Sequence, residues 1–532
     1  MYLFHRRVVW VALLCGSLLS GVAAGQDQQV ALPSLGEVGN FSLGDERRLG
    51  ARIVGNLYAS GDVGTDVVLA QYIDNMWQAL YAAGVERGDI SSEMAQQLAW
   101  QVLLINDASV NAFALPGGYL GVNMGLLAMA KDAHALASVL AHELSHVTQR
   151  HIARMISLRE QNAPWLLAAM IVGSLAVTHD TGLANAAILG GQAAAAQSQL
   201  NFSRDMEREA DRQGLQVQNL AGFEAAGFAR MFEQLQNVNR LNDDGAFPYL
   251  RSHPLTSQRI ADMQLRLADL RPPRRGLLKA DWLDPDVQMF MRARAQVLVQ
   301  TRRDSLQAWV DLAGKQVAGS IKPVVAYQAA LAAAALQQHG LAWQWLERIG
   351  VRAAASNKAL HALIQTSALQ VWVAMPPADR PALFNGEAMA RLSMRLLQHY
   401  AAAPEKIRRS YRSDLLSAAA AASVSGWQSW AAVQDQADQL LRLWVVEHPL
   451  DAQAWQVAGQ LAQAMRQPLR ALRAQAEYAA HTGQLEAAKD RFMAAQALAN
   501  QQQNNEQEAA IVASRLQQVA TEWRTQQADD QR

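Results

Sequence analysis

At 532 residues the chain is too long for one hydrophobic core, so two or more domains are expected. Its 47 basic and 47 acidic residues cancel, and no long run of like charge occurs, which argues against a nucleic-acid partner. The composition is rich in Ala and Gln with only 15 Pro, and such side chains lose little freedom in a helix, so helices should dominate.

The first 25 residues read as a cleaved secretory signal. Arg6 and Arg7 precede an apolar stretch over 8–22, and small Ala23, Ala24 and Gly25 lead into polar Gln26. A retained anchor is the alternative, disfavoured because the stretch is short for a bilayer span. Cys15 is the single cysteine and falls inside this segment. The exported chain would then carry no thiol, so a metal site would have to use His, Asp and Glu. An oxidising compartment suits such a chain.

Residues 26–45 suggest an extended lead-in, and residues 45–83 a helical pattern interrupted by the loop Gly61-Asp62-Val63-Gly64. Residues 100–106 suit a strand. A second strand over 111–115 runs through Pro116-Gly117-Gly118 into 119–122, which predicts a hairpin. A continuous helix is expected over 132–159. The stretch 165–177 is almost wholly apolar and 182–197 is Ala- and Gly-rich. Three readings stay open for 164–200: a buried helix, an apolar lid, or a peripheral membrane contact. Helix resumes over 204–220 and carries on to 270, and Arg271-Pro272-Pro273-Arg274-Arg275-Gly276 is the best linker.

Residues 277–532 read as Ala-rich helices cut near Gly340, Pro404, Pro449, Pro468 and Gly483. Small residues fall where two helices would cross closely: Trp455 with Ala458, Gly459 and Ala462, and Ala488, Phe492 and Ala495. Their spacing resembles that of tetratricopeptide repeats, which stack into a solenoid; an irregular bundle is the alternative.

The chemistry concentrates in His142-Glu143-Leu144-Ser145-His146. Residues four apart share a helix face, so both imidazoles can reach one cation, and Glu143 can act as general base towards a water activated there. Two imidazoles make an incomplete site. Gln149 and Ile152 stand where a downstream Gly and third His would extend the motif, and His151 falls one position early, on another face of a continuous helix, as a solvated residue. The third ligand is expected from Glu207, with Asp211 on the same face holding a ligating imidazole by its second nitrogen. Glu209 should point away into solvent.

An HExxH motif followed some sixty residues later by ExxxD resembles the M48 family of gluzincin metallopeptidases. The resemblance rests on NAFALPGG at 111–118, LAHELSHVTQRHI at 140–152, SRDMEREAD at 203–211 and SHPLTSQRI at 252–260. Together with the signal and the C-terminal helices, the whole chain is similar to periplasmic family members that join such a domain to tetratricopeptide repeats and act in outer-membrane protein quality control. The resemblance implies a mainly α protein: an α+β zincin-like peptidase domain with a small sheet over 26–270, the linker at 271–276, and an all-α tetratricopeptide-like solenoid over 277–532. It implies one Zn²⁺ per chain on His142, His146 and Glu207, with Glu143 and Asp211 in catalysis. It also gives His253 the role of fourth ligand or resting switch, and Arg259 either a hold on substrate charge or a structural ion pair. Residues Asn111, Ala112 and Phe113 would form an edge strand for extended substrate. Expected partners are unfolded or misassembled proteins and the outer-membrane assembly machinery. The competing reading is a chaperone or scaffold for that assembly with a mostly latent peptidase site. Cysteines occur in the mature part of relatives and are missing here, so a disulfide between the two halves is not expected.

Overall fold

A computed structural model describes residues 41–158, 204–239, 248–270, 283–315, 322–353, 358–376, 386–424, 430–501 and 506–530. The signal segment, the 164–200 stretch and the 271–276 linker lie outside the described residues. The fold is mainly α with a small three-stranded sheet, as expected.

Helix α1, Leu43–Ala59, begins with a reciprocal capping box between Ser42 and Asp45. Helix α2, Val67–Arg87, is capped by Asp66, which accepts from the Leu69 N–H, and ends at Gly88 in the left-handed region. Its Tyr72, Met76, Trp77 and Leu80 are buried in the core. After the short helix α3, Ser92–Gln97, come strands β1, Gln101–Ile105, β2, Ala112–Leu115, and β3, Tyr119–Asn123.

β2 and β3 form the predicted hairpin, with Ala114 opposite Leu120. Gly117 and Gly118 turn it with φ of 78° and 82°. A Cβ on Gly117 would meet the Arg47 Cα at 2.7 Å, so the turn also needs glycine for the close approach of α1. β1 pairs with β3 in parallel, giving the order β1-β3-β2 and leaving β2 at an edge.

Helix α4, Met124–Met129, leads to α5, Ala133–Thr148, whose N-cap Asp132 accepts from the Ala135 N–H. α5 is buried along almost its whole length. The single helix expected over 132–159 is in fact two. Arg150 has φ 51°, and α6, His151–Leu158, starts afresh beyond it. A left-handed non-glycine residue costs about 1–2 kcal/mol. Two contacts of its own side chain offset this: Arg150 Nε bonds Glu46 Oε1 at 2.7 Å and Nη2 bonds the Phe41 carbonyl at 2.7 Å.

Helix α7, Arg204–Ala221, packs across α5. Gly214 makes this possible, since a Cβ there would lie 3.0 Å from the backbone of Ala141. Helices α8, Gly227–Asn239, α9, Pro248–Ser252, and α10, Ser257–Asp269, complete this half.

Helix α11, Pro285–Leu298, docks directly on the first half. Gln288 donates to the Ala130 carbonyl at 2.9 Å, and buried Arg294 pairs with Asp66 at 2.6 Å. Later helices, from Arg303–Gly314 to Glu506–Asp530, pack chiefly on their sequence neighbours. Ala488, Phe492 and Ala495 are buried at the predicted crossings. Near the chain's end Gly483 closes against Gly55 of α1. One apolar core runs from Leu43 to Ala474, so the two halves share it. Among the described residues no helix is long and apolar enough to cross a membrane.

Candidate metal centre and active site

α5 supplies two imidazoles on one face. His142 Nε2 and His146 Nε2 lie 3.0 Å apart. α7 brings Glu207 to them, its carboxylate oxygens 3.5 Å from each Nε2. The turn after α9 adds His253, whose Nδ1 is 2.9 Å from Glu207 Oε1 and 3.4 Å from His142 Nε2. These four residues each offer a donor atom within 4.8 Å of the others, and all four are buried. Residue spacing names His142, His146 and Glu207 as a set, and the family resemblance offers His253 as a fourth donor; the structure brings all four together.

Asp211 Oδ1 stands 2.9 Å from His142 Nδ1, one turn along α7 from Glu207. The carboxylate thus stands behind the ring at Nδ1, while Nε2 faces His146. Two ring nitrogens at 3.0 Å with lone pairs facing each other repel unless a proton or a metal cation lies between them. The donor chemistry, two imidazoles and a carboxylate in a buried cluster, fits zinc.

Charge in the cluster is balanced by Arg259 of α10. It makes a paired contact with both Asp211 oxygens, at 2.7 and 2.8 Å, and its Nη1 reaches Glu207 Oε2 at 2.8 Å. Arg259 is thus a structural ion-pair partner of both carboxylates, stacked over the Phe232 ring.

Burial works against charge on every one of these groups, and specific contacts decide which keep it. Burial pushes His142 down, but Asp211 and Glu207 outweigh it and lift the imidazole to about 10. Burial raises Glu207, yet His253 and His142 hold it well below the usual carboxylate range. Asp211 is likewise lowered, by His142 and Arg259 against burial. His146 is pushed well down by burial and by the charge on His142.

Glu143 is fully buried beside this cluster. Its Oε2 accepts from the Ala114 N–H at 3.0 Å, and its Oε1 lies 3.5 Å from His253 Nε2. Burial raises its pKa, with His253 and His142 opposing. Ala114 belongs to the edge strand β2. Asn111 bonds to β3 through its carbonyl, accepting from the Asn123 N–H, while Ala112 is buried and Phe113 half-buried.

Two expectations are corrected. His151 is not solvated: it is fully buried, with Nδ1 2.8 Å from His146 Nδ1. Glu209 does not face open water; it is half-buried and contacts His151 Nε2 at 3.2 Å and Arg154 at 3.1 Å. Both errors follow from treating 132–159 as one helix. The break at Arg150 swings His151 back under His146, and no local pattern announces it.

Two imidazoles one turn apart, a carboxylate from a second helix and a buried glutamate beside the first imidazole make up a gluzincin-type metal centre. Residues 82–267 match Peptidase family M48, and this region belongs to that zinc-dependent metallopeptidase family. The chain is 30% identical over 267 residues to the beta-barrel assembly-enhancing protease of Escherichia coli K12, covering 49% of this chain and 53% of the relative. A Vibrio cholerae protein provisionally given the same name is 30% identical over 346 residues, 64% of this chain and 66% of its own. The mitochondrial metalloendopeptidase OMA1 of Arabidopsis thaliana is 26% identical over 259 residues, 48% and 50%. The chain thus spans between half and two thirds of the length of these relatives.

Proposed function

We propose that the chain is a periplasmic zinc endopeptidase that hydrolyses unfolded or misassembled outer-membrane proteins. The observation that carries the reading is the convergence of His142, His146 and Glu207 from two helices, with Glu143 buried beside them. The names of the bacterial relatives supply the substrate class. In this reading residues 1–25 are removed on export, 26–270 form the peptidase domain, 271–276 link it, and the tetratricopeptide-like helices of 277–532 engage clients or assembly machinery.

His142, His146 and Glu207 would hold the zinc, which when bound supplies Lewis acidity to peptide hydrolysis. Asp211 keeps His142 in the tautomer that presents Nε2. Glu143 accepts a proton from the attacking water and returns it to the leaving amine; its raised pKa brings it nearer the neutral range in which both transfers are efficient. An extended client adds alongside β2, whose Ala112 is on the same side of the strand as Ala114.

Cleavage of a denatured β-barrel protein by the purified, zinc-loaded chain tests this. Glu143→Gln keeps the shape and the Ala114 contact but cannot take the proton, and should slow cleavage by about 10²–10⁴. Equal rates for the variant and the native chain would sink the reading.

One observation favours a second reading, the scaffold with a mostly latent site. His253 occupies a donor position, packed against the Tyr249 ring at 4.8 Å, and the whole cluster is shielded from solvent. A closed four-donor site is inert where an open one is catalytic. If Glu143→Gln leaves client assembly intact in cells while removal of residues 277–532 abolishes it, the scaffold role dominates.

A further inference from the structure

The half-buried Glu209 and the buried His151 are not needed as metal donors, yet they form a chain that ends on one. Glu209 Oε2 lies 3.2 Å from His151 Nε2, and His151 Nδ1 lies 2.8 Å from His146 Nδ1. Arg154 meets the same Glu209 oxygen at 3.1 Å. We propose that Glu209 and His151 are positioning residues that fix the tautomer and ring orientation of His146, so that its Nε2 faces the metal position. The inference rests on the metallopeptidase reading above.

The hydrogen count leaves one consistent arrangement. Two Nδ1 atoms at 2.8 Å can share a hydrogen bond only if one donates and the other accepts. His146 must keep the lone pair on Nε2 to serve as a donor to a cation, so its proton is on Nδ1 and it donates to His151. His151 Nδ1 then accepts, which places the remaining proton of this imidazole on Nε2. That N–H points at Glu209, an acceptor. Arg154 supplies the positive charge that holds the carboxylate in place.

His142 has its own carboxylate, Asp211, at 2.9 Å from Nδ1. The two ligand imidazoles are therefore oriented from behind by different means, His142 by a carboxylate directly and His146 by a carboxylate through a second imidazole. Both carboxylates come from α7, the helix that also carries Glu207. The path to His146 exists because Arg150 breaks the helix and α6 turns His151 back towards α5. Partners of this kind behind a ligand imidazole are worth about 10–100-fold in metal affinity.

The test measures the zinc dissociation constant of the full-length protein by competition with a chromophoric chelator, alongside the melting temperature of each metal-free variant. His151→Leu removes the acceptor and should weaken zinc binding about 10–100-fold. His151→Asn places its Oδ1 near the position of the imidazole Nδ1 and should hold the constant within about threefold of the native protein. Glu209→Leu should weaken binding by an amount between the two. A role in packing alone would make Asn and Leu equally damaging, and that result would overturn the proposal. So would a dissociation constant for His151→Leu within about twofold of native. Should His151→Leu not fold, Glu209→Leu at the half-buried end carries the test, and native affinity there would overturn it. A native chain that binds no zinc defeats the metallopeptidase reading itself, whereas tight native binding with indifferent variants defeats only this inference.

Discussion

The approach of α7 to α5 can be perturbed at a single atom. A Cβ on Gly214 would lie 3.0 Å from Ala141 C and O and 3.1 Å from the His142 nitrogen. Non-bonded carbon atoms prefer about 3.5–4.0 Å. Gly214→Ala therefore asks α7 to move away by about 0.5 Å or more, and Gly214→Val by more still. The push falls beside His142 and one turn beyond Asp211. The 2.9 Å contact between His142 Nδ1 and Asp211 would open towards the limit of a hydrogen bond, and Glu207 would recede from both imidazoles. Loss of such an orienting partner costs about 10–100-fold in metal affinity. Overall stability should change less, because Ala improves on Gly inside a helix by about 0.5–1 kcal/mol and so offsets part of the strain. Zinc affinity, kcat/KM on a denatured β-barrel protein and the melting temperature of the metal-free protein are the measurements. Both variants within about twofold of native zinc affinity would refute the reasoning, since the site would then tolerate a wider gap between the helices.

Zinc binding at pH 7.5 should release about one proton, because His142 in the metal-free cluster is held at about 10 and must lose its proton to become a ligand. Calorimetry in buffers of different ionisation enthalpy reads this directly, and zero release would show that His142 is already neutral. Chelation should in turn lower unfolding free energy by about 2.7 kcal/mol when free zinc had stood at a hundredfold over its dissociation constant, seen as a drop in melting temperature. Arg259→Leu leaves Asp211 and Glu207 as buried carboxylates without their guanidinium, and should destabilise the metal-free protein by about 3–5 kcal/mol in urea unfolding. An unchanged midpoint would show that the two carboxylates do not depend on the guanidinium to stay buried. His481, in the second half, is pushed down to about 4 by burial, against the attraction of Glu477. The unfolded chain then binds more protons between about pH 6.5 and 4, so this contribution to stability is complete above 6.5 and lost as pH falls to 4. Its size is at most about 3 kcal/mol, reduced by the water that reaches the side chain. His481→Asn should flatten the acid limb of stability over that window, and parallel curves for the two proteins would contradict it.

Much of the site was legible from local chemistry. The spacing of His142 and His146 places two imidazoles on one helix face by geometry alone, and Glu207 with Asp211 does the same for two carboxylates. Gly117 and Gly118 mark the hairpin because a turn with positive φ excludes most other residues. These features are decided within a few residues, where helical period and turn sterics leave few alternatives. Tertiary structure decided the rest: the parallel pairing of β1 with β3, the crossing of α7 over α5 at Gly214, and the arrival of His253 and Arg259. It also decided the break at Arg150, which depends on Glu46 and the Phe41 carbonyl, about a hundred residues earlier in the chain. That break moved His151 and Glu209 from an expected solvent face to the back of the His146 imidazole. A residue's partners across the fold depend on the packing of many distant side chains at once, and no short stretch of sequence carries that information.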